Sequence, residues 1–298
     1  MVLFQLIIDG IAIGSLYALI ALAMVIIYKT SEVPNFAQGE MAMLSTFFAY
    51  YLMNKYGFNF PYSLIGAFIF SIIMGVIIEF AFLRRAKEPN ILNFILITLG
   101  LERVIYGIAG WKWGPDQKIF PSTFDPLPIT GKGVIKMGTI VVSHINLGIL
   151  IIAVLVIVVL FLFFKLTRVG IAMKATQQNQ VAARINGIPT NRIMSLTWAL
   201  SSVVGAIAGI LFVPGTSTSL DGNLMLSPLL KGFAAAVLGG MTSLAGAIGG
   251  GIILGLIEKF FGYFVSSEFE SVVAFMIIVI ILWFKPSGLF SKHYIKKV

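Results

Sequence analysis

Three polar side chains stand within a short stretch of an otherwise apolar region. They are Asn35, Gln38 and Glu40, in Pro34-Asn35-Phe36-Ala37-Gln38-Gly39-Glu40. A second interruption, Gly239-Gly240-Met241-Thr242-Ser243-Leu244-Ala245-Gly246, divides another long apolar stretch. The chemistry these residues support is recognition rather than bond making. A helix broken at membrane depth exposes N-terminal N–H groups with partial positive charge, which suit carboxylates and small polar solutes. Asn35, Gln38, Glu40, Gly239, Gly240, Thr242, Ser243 and Gly246 are therefore the candidate pathway residues. The glycines among them equally allow close helix packing. Glu102 and Arg103 form a third oddity, an acid and a base inside an apolar run. Such groups are costly in a bilayer and are functional by default. Adjacent helix positions do not face each other, so the two need not pair. They also fit an off-centre span, or contacts with neighbouring helices or a partner subunit.

The residues for covalent or redox chemistry are missing. The chain has no cysteine, which removes disulfides, thiolate metal sites and cysteine nucleophiles. Gly131-Lys132-Gly133 lacks the preceding glycine of a phosphate-binding loop. A nucleophile elbow, a zinc-binding helix motif and a catalytic carboxylate set are all lacking. His144 and His293 have no neighbours resembling metal ligands. No metal or cofactor is expected on this chain, and it is not expected to be an enzyme. Any work it does must draw on a partner or on an ion gradient.

The elements that hold these residues are membrane helices. Of 298 residues 58% are hydrophobic and only 11% charged, with mean hydropathy +0.98, far too little charge for a soluble domain of this length. The apolar runs are long and continuous, which favours helices over the short alternating segments of a barrel. The expected class is an all-α polytopic membrane protein. It is one domain, residues 1–298, with about eight membrane segments including a re-entrant or broken helix pair. The net charge of +9 does not imply nucleic acid. The basic residues sit at span ends and in the loops between spans, as topology determinants do. The first apolar run has no basic leader and is too long for a cleavable signal peptide.

In order, the spans are expected at Phe4 to Tyr28, Phe36 to Met53 with Asn35 as N-cap, Pro61 to Leu83, Ile91 to Trp111, Ile145 to Phe164 and Ile193 to Phe212. The interrupted stretch Leu229 to Phe261 and a last span, Val272 to Phe284, follow. Residues 112–144, rich in Pro and Gly, read as an external loop with a hairpin over VIKMGTIVVS. Pro214 to Ser227 reads as external. Arg84, Arg85 and Lys87 mark a cytoplasmic end, with Glu79 joining an interfacial ion cluster. The tail, 285–298, carries Lys285, Lys292, Lys296 and Lys297 and is expected in the cytoplasm, with the N-terminus outside. That topology requires Leu229 to Phe261 to enter and return as two half-helices. It also puts Asp9, Asp116, Asp125, Asp221, Glu258, Glu268 and Glu270 on the outer side.

Arg168 to Arg192, RVGIAMKATQQNQVAARINGIPTNR, is a basic island between two spans. It holds Arg168, Lys174, Arg184 and Arg192 and no acid, so it is expected in the cytoplasm. It is long enough for its own helix at the membrane surface. Ala182 and Ala183 would let that helix approach a groove closely, and Gly187 would end it as a C′ glycine. The plainer reading is an amphipathic loop on lipid head groups.

Three stretches together resemble the LivH-type permease subunits of branched-chain amino-acid ABC transporters. The first is GIAIGSLYALIALAMVIIY with NFAQGEMAMLSTFFAYYL, in which Gln38 stands where the family typically has His. The second is GIAMKATQQNQVAARINGIPTNRIMSLTWALSSVVGAIAGIL. The third is LLKGFAAAVLGGMTSLAGAIGGGIILGLIE, with a terminal FKPSGLF. Ile91 to His144 matches less well, and TLGLERVIYG is closer to the companion permease subunit. The resemblance implies an ABC importer permease in a bacterial or archaeal cytoplasmic membrane. Its implied partners are two cytoplasmic ATP-binding subunits that hold ATP and Mg, a second permease subunit of the LivM type, an external solute-binding protein and membrane lipid. It further implies that Val181-Ala182-Ala183-Arg184-Ile185-Asn186-Gly187 is the loop docking on the ATPase, with Val181 in place of the family's Glu. Gly170 and Lys174 belong to the same coupling segment. Related permeases carry urea or short amides, and an ion-coupled carrier using Glu40 and Glu102 is the rival from the residues alone.

Overall fold

The computed structural model describes residues 2–86, 90–120, 134–137, 140–216, 219–285 and 287–290. Lys87, residues 121–133 and 138–139 of the 112–144 loop, His293 and the lysines at 292, 296 and 297 lie outside the described residues.

Helix α1, Val2–Ser31, is apolar all round and buried along most of its length. A helix of that kind belongs at the centre of a bundle. In lipid, helices gain little from burying apolar surface against each other, so close backbone approach must hold the centre together. Here α1 packs antiparallel on α10, Leu244–Phe264. A Cβ on Gly255 would stand 2.5 Å from Gly10 O and Gly14 Cα, and one on Gly251 would stand 2.5 Å from Ala18 N. Any side chain at these four glycines forces the two helices apart.

Around this pair stand α2 (Gln38–Tyr56), α3 (Phe60–Ile78, continuing as a π-helical turn, Glu79–Leu83), α4 (Ile91–Trp113) and α5 (His144–Leu166). Next come the short helices α6 (Arg168–Gln178) and α7 (Gln180–Ile185), then α8 (Thr190–Thr216), α9 (Leu226–Gly239) and α11 (Glu270–Phe284). Among the described residues, six helices are long and apolar enough to cross a membrane, and two more apolar helices are shorter. Two small sheets complete the fold. Strand β1 (Lys118–Ile119) pairs antiparallel with β4 (Ser219–Leu220), and β2 (Val134–Met137) with β3 (Ile140–Ser143). The second pair is the hairpin expected from VIKMGTIVVS.

Several local expectations shift. Asn35 does not cap α2: Ala37 is the N-cap, and Asn35 Oδ1 accepts instead from Ala37 N at 3.0 Å. The island holds two helices rather than one. Asn179 breaks the run with extended backbone and caps α7, accepting from Ala182 N at 2.9 Å. Asn caps this way because its side-chain oxygen replaces the missing i−4 carbonyl. Helix α8 runs on past Pro214 to Thr216 instead of ending at Phe212, since a proline in a final turn removes only one internal bond. The interrupted stretch is unequal. Helix α9, with 14 residues, is a half-helix of about 21 Å at 1.5 Å per residue. Helix α10, with 21 residues, is long enough to span the core by itself. Glu258 lies within α10 and is 3% exposed inside the bundle.

Candidate functional site

The contacts fix the helix directions. Gln38 meets Ser201 and Gly205, while Ala42 and Thr46 meet Gly209, so α2 runs parallel to α8. Ser201 meets Ala23 and Gly215 meets Leu16, so α8 runs against α1. Helix α10 runs against α1, and α9 against α10, because Gly239 meets Gly246 and Gly250 meets Ala235. Helices α2 and α9 therefore point in opposite directions. Their first turns touch: a Cβ on Gly39 would lie 3.0 Å from the Leu229 side chain and 3.3 Å from Met225 O. Neither first turn has a side-chain cap. Two helix N-termini thus meet head to head, each carrying the positive end of a helix dipole.

Glu40 lies in the first turn of α2, where a carboxylate complements the dipole. It is 5% exposed, and its Oε2 has no hydrogen-bond partner among the described residues. Glu102 and Arg103 are its charged neighbours from α4. Glu102 is the twelfth of that helix's 23 residues. The start of α2 is therefore level with the middle of a membrane-length helix. Arg103 Nε stands 3.5 Å from Glu102 Oε2, with 75% of the Arg103 side chain exposed against 14% for Glu102.

Gln38 and Asn35 build a buried amide network beneath Glu40. Asn35 Nδ2 donates to Gln38 Oε1 at 3.1 Å, and Gln38 Nε2 donates to Ser201 O at 3.3 Å. Ser201 Oγ stands 2.7 Å from Ala23 O and 3.0 Å from Gln38 Oε1, so its one proton serves one of two acceptors. Both amide side chains are essentially unexposed. The network fixes the break between α1 and α2 against α8. A crevice lined by Val33, Pro34, Thr98 and Trp198 opens beside it.

The second set of candidates occupies a different place. Gly239, Gly240, Thr242, Ser243 and Gly246 form the turn joining α9 to α10. Ser243 Oγ caps α10 by accepting from Gly246 N at 2.9 Å, Gly240 has φ +99°, and Thr242 is exposed. The turn is closed by residues near the chain's end. Leu289 N donates to Leu238 O at 2.8 Å and Phe290 N to Gly239 O at 3.2 Å, while Gly288 packs on Gly240. The break that faces Asn35–Glu40 is instead the one before α9, at Met225.

One buried pair escaped the sequence reading. Lys231 of α9 forms an ion pair with Glu258 of α10, and its Nζ also donates to Tyr17 OH of α1 at 3.3 Å. Lys231 is 8% exposed, and Glu258 Oε2 has no hydrogen-bond partner among the described residues. The signal was available: Lys231 and Glu258 are an acid and a base inside apolar helices that a hairpin must bring together.

The island forms a separate structure. Thr167 Oγ1 accepts from Gly170 N at 2.9 Å, and a Cβ on Gly170 would stand 2.4 Å from Phe163 O, so α6 turns sharply off the end of α5. Lys174 is exposed on α6. In α7, Ala183 is buried, whereas Ala182 and Arg184 are exposed, as are Val181 at 68% and Ile185 at 81%. Gly187 ends α7 with φ +79°. Ile188 N bonds Ala183 O and Gly187 N bonds Arg184 O, each at 3.0 Å, which is a Schellman motif. Arg184 Nε donates to Thr190 Oγ1 at 2.6 Å, tying α7 to the start of α8. Nearby, Arg84 bridges Glu79, Asn191 O and Ser195 Oγ, the ion cluster expected around Glu79.

Comparison with known proteins fits this architecture. The family described as "Branched-chain amino acid transport system / permease component" matches residues 6–282. The chain is 28% identical to the high-affinity branched-chain amino acid transport system permease protein BraD of Pseudomonas aeruginosa, over 99% of this chain and 97% of that one. It is 28% identical to the probable branched-chain amino acid transport permease protein LivH of Methanocaldococcus jannaschii, over 96% and 92% of the two chains. Among solved structures, PsaBC from Streptococcus pneumoniae, in complex with Fab, has a similar fold. The TM-score is 0.51 at 15% sequence identity, covering 95% of this chain and 91% of that one.

Proposed function

From the premise that the chain belongs to the branched-chain amino acid transport permease family, we propose the following roles for its parts. The chain is a multi-pass membrane protein, a transporter subunit and not an enzyme, and it works with ATPase and solute-binding partners. It carries a branched-chain or other small amino acid inward across the cytoplasmic membrane. Two cytoplasmic ATPases, with their own ATP and Mg, drive the cycle. A second permease subunit of the LivM type completes the membrane unit, and an external protein delivers the solute. The N-terminus is outside, while the 168–192 segment and the 285–298 tail are cytoplasmic.

The solute passes the region where the first turns of α2 and α9 meet. Two uncapped N-termini favour a carboxylate there, as at half-helix ends in other carriers. Asn35, Gln38 and Glu40 supply polar groups at that depth.

Helices α6 and α7 are the coupling element. The observation that carries this reading is α7 itself: Val181 and Ile185, four residues apart, project outward from a short helix pinned at both ends. An apolar ridge on a rigid mount suits a groove on a partner. Gly170 sets its angle, the exposed Ala182 allows close approach, the buried Ala183 seats α7 on the rest of the chain, Lys174 and Arg184 flank it, and Gly187 ends it. The test is uptake in Gly187→Glu and Ala183→Trp variants, with membrane insertion checked separately. Transport is expected to be lost in both, and normal uptake in both overturns the coupling role. Purified protein that transports in vesicles on an ion gradient, without ATPase subunits, overturns the importer reading in favour of an ion-coupled carrier.

A further inference from the structure

Helix α4 is buried on one side only. Thr98, Leu101, Ile105 and Ala109 face the bundle. At 100° per residue the opposite side is centred on Arg103, flanked by Gly100, Gly107 and Gly110. A Cβ on any of these three glycines would meet nothing within 4 Å. A glycine-lined seam is what lets two membrane helices approach backbone to backbone, and on α4 the seam faces away from the rest of the chain. Arg103 lies at its centre with 75% of its side chain exposed. It is ten residues from Trp113 and further from Ile91, so at least about 15 Å of helix separates it from either end. Snorkelling serves residues near helix ends, and a guanidinium this deep faces a protein or a water-filled cavity rather than lipid.

Resting on the importer reading above, we propose that the Gly100–Arg103–Gly107–Gly110 face of α4 is covered by the second permease chain, which presents a carboxylate to Arg103 near mid-membrane. The charge pattern selects a different chain over a second copy of this one. In a two-fold interface centred on this face, Arg103 would meet its own copy, and two like charges in a low-dielectric setting repel strongly. Glu102 relieves that conflict only in part, because its Oε2 meets Arg103 Nε at 3.5 Å while it is itself 14% exposed, and 75% of the Arg103 side chain still faces outward. A partner acid meets the outward side of the guanidinium while Glu102 keeps its contact with Arg103 Nε. The interface then begins one residue from Glu102, a charged neighbour of Glu40 at the start of α2, so the solute route runs close to the junction of the two permeases.

The test places a photo-cross-linking amino acid at Leu99, on the exposed face of α4, or at Leu155, exposed on α5. Each variant is expressed with the full transporter, and the products are identified by mass spectrometry. Leu99 is expected to capture the companion permease, and Leu155 lipid alone. Arg103→Leu is expected to lower the Leu99 product at least tenfold, and Arg103→Lys to restore most of it. Capture of lipid only, or of a second copy of this chain, at Leu99 overturns the proposal, as does an unchanged yield in Arg103→Leu. If such a failure occurs in complexes that retain ATPase and transport, the importer reading survives. A chain that purifies without any ATPase overturns both.

Discussion

Gln38 grips Ser201 through both ends of its amide: Nε2 donates to the main-chain carbonyl at 3.3 Å, and Oε1 stands 3.0 Å from the hydroxyl. The two residues are 163 positions apart, and they join the broken start of α2 to the middle of α8.

Replacing this amide by a hydrocarbon leaves Asn35 and Ser201 as buried polar groups with fewer partners. Each unsatisfied group costs about 1–3 kcal/mol. Gln38→Leu is expected to lower the thermal midpoint of the detergent-solubilised protein and to reduce uptake. Gln38→His keeps one donor and one acceptor and should retain most of both. A Gln38→Leu protein as stable as the wild type shows that the network does not hold the break.

The Lys231–Glu258 pair predicts non-additivity. Removing one partner of a buried pair strands a charge and costs about 3–5 kcal/mol, whereas replacing both can be close to neutral. Lys231→Met and Glu258→Gln should each destabilise, and the double variant should recover a large part of the loss. The measurement is a double-mutant cycle on thermal stability; simple addition of the two effects excludes a direct pair.

Gly170 lies against the backbone of Phe163 and Phe164. A valine there cannot be absorbed by a flexible side chain, so the angle between α5 and α6 must change. Gly170→Val should insert and assemble, yet lose solute-stimulated ATPase activity and uptake together. Full stimulation in that variant detaches the α5–α6 angle from coupling.

The glycine contacts between α1 and α10 predict a harsher outcome. Gly255→Leu would drive a side chain into Gly10 and Gly14 backbone, about 2.5 Å from where its Cβ must lie. Overpacking costs about 1–3 kcal/mol even where a core can relax, and two main chains in contact relax little. The variant is expected to aggregate on extraction, whereas Gly100→Leu, on the open face of α4, should extract normally as an isolated chain. Monodisperse Gly255→Leu protein on size exclusion contradicts the packing.

Much of this was legible in the sequence. Long apolar runs gave the membrane helices, Pro34 and the 239–246 glycines marked real breaks, and the basic island between α5 and α8 stood out by charge alone. The pairing of breaks was not legible. The partner of the Asn35–Glu40 break is the segment before α9. Asp221-Gly222-Asn223 and Ser227-Pro228 mark that segment as polar, so it reads as an external loop, and only packing shows that its end at Met225 reaches the start of α2. The Lys231–Glu258 pair went unread because its members are 27 positions apart, and only the turn between α9 and α10 brings them together. Asn179 shows the opposite case, a plain capping signal hidden within a stretch read as one helix.

The α9–α10 turn borrows two of its backbone bonds from Leu289 and Phe290, residues synthesised after every helix described here. Until they emerge from the ribosome, the carbonyls of Leu238 and Gly239 lack these partners. The hairpin is thus completed only when translation of this region is nearly finished. A chain cut short before Leu289 would therefore carry an incomplete α9–α10 turn, however well its helices insert.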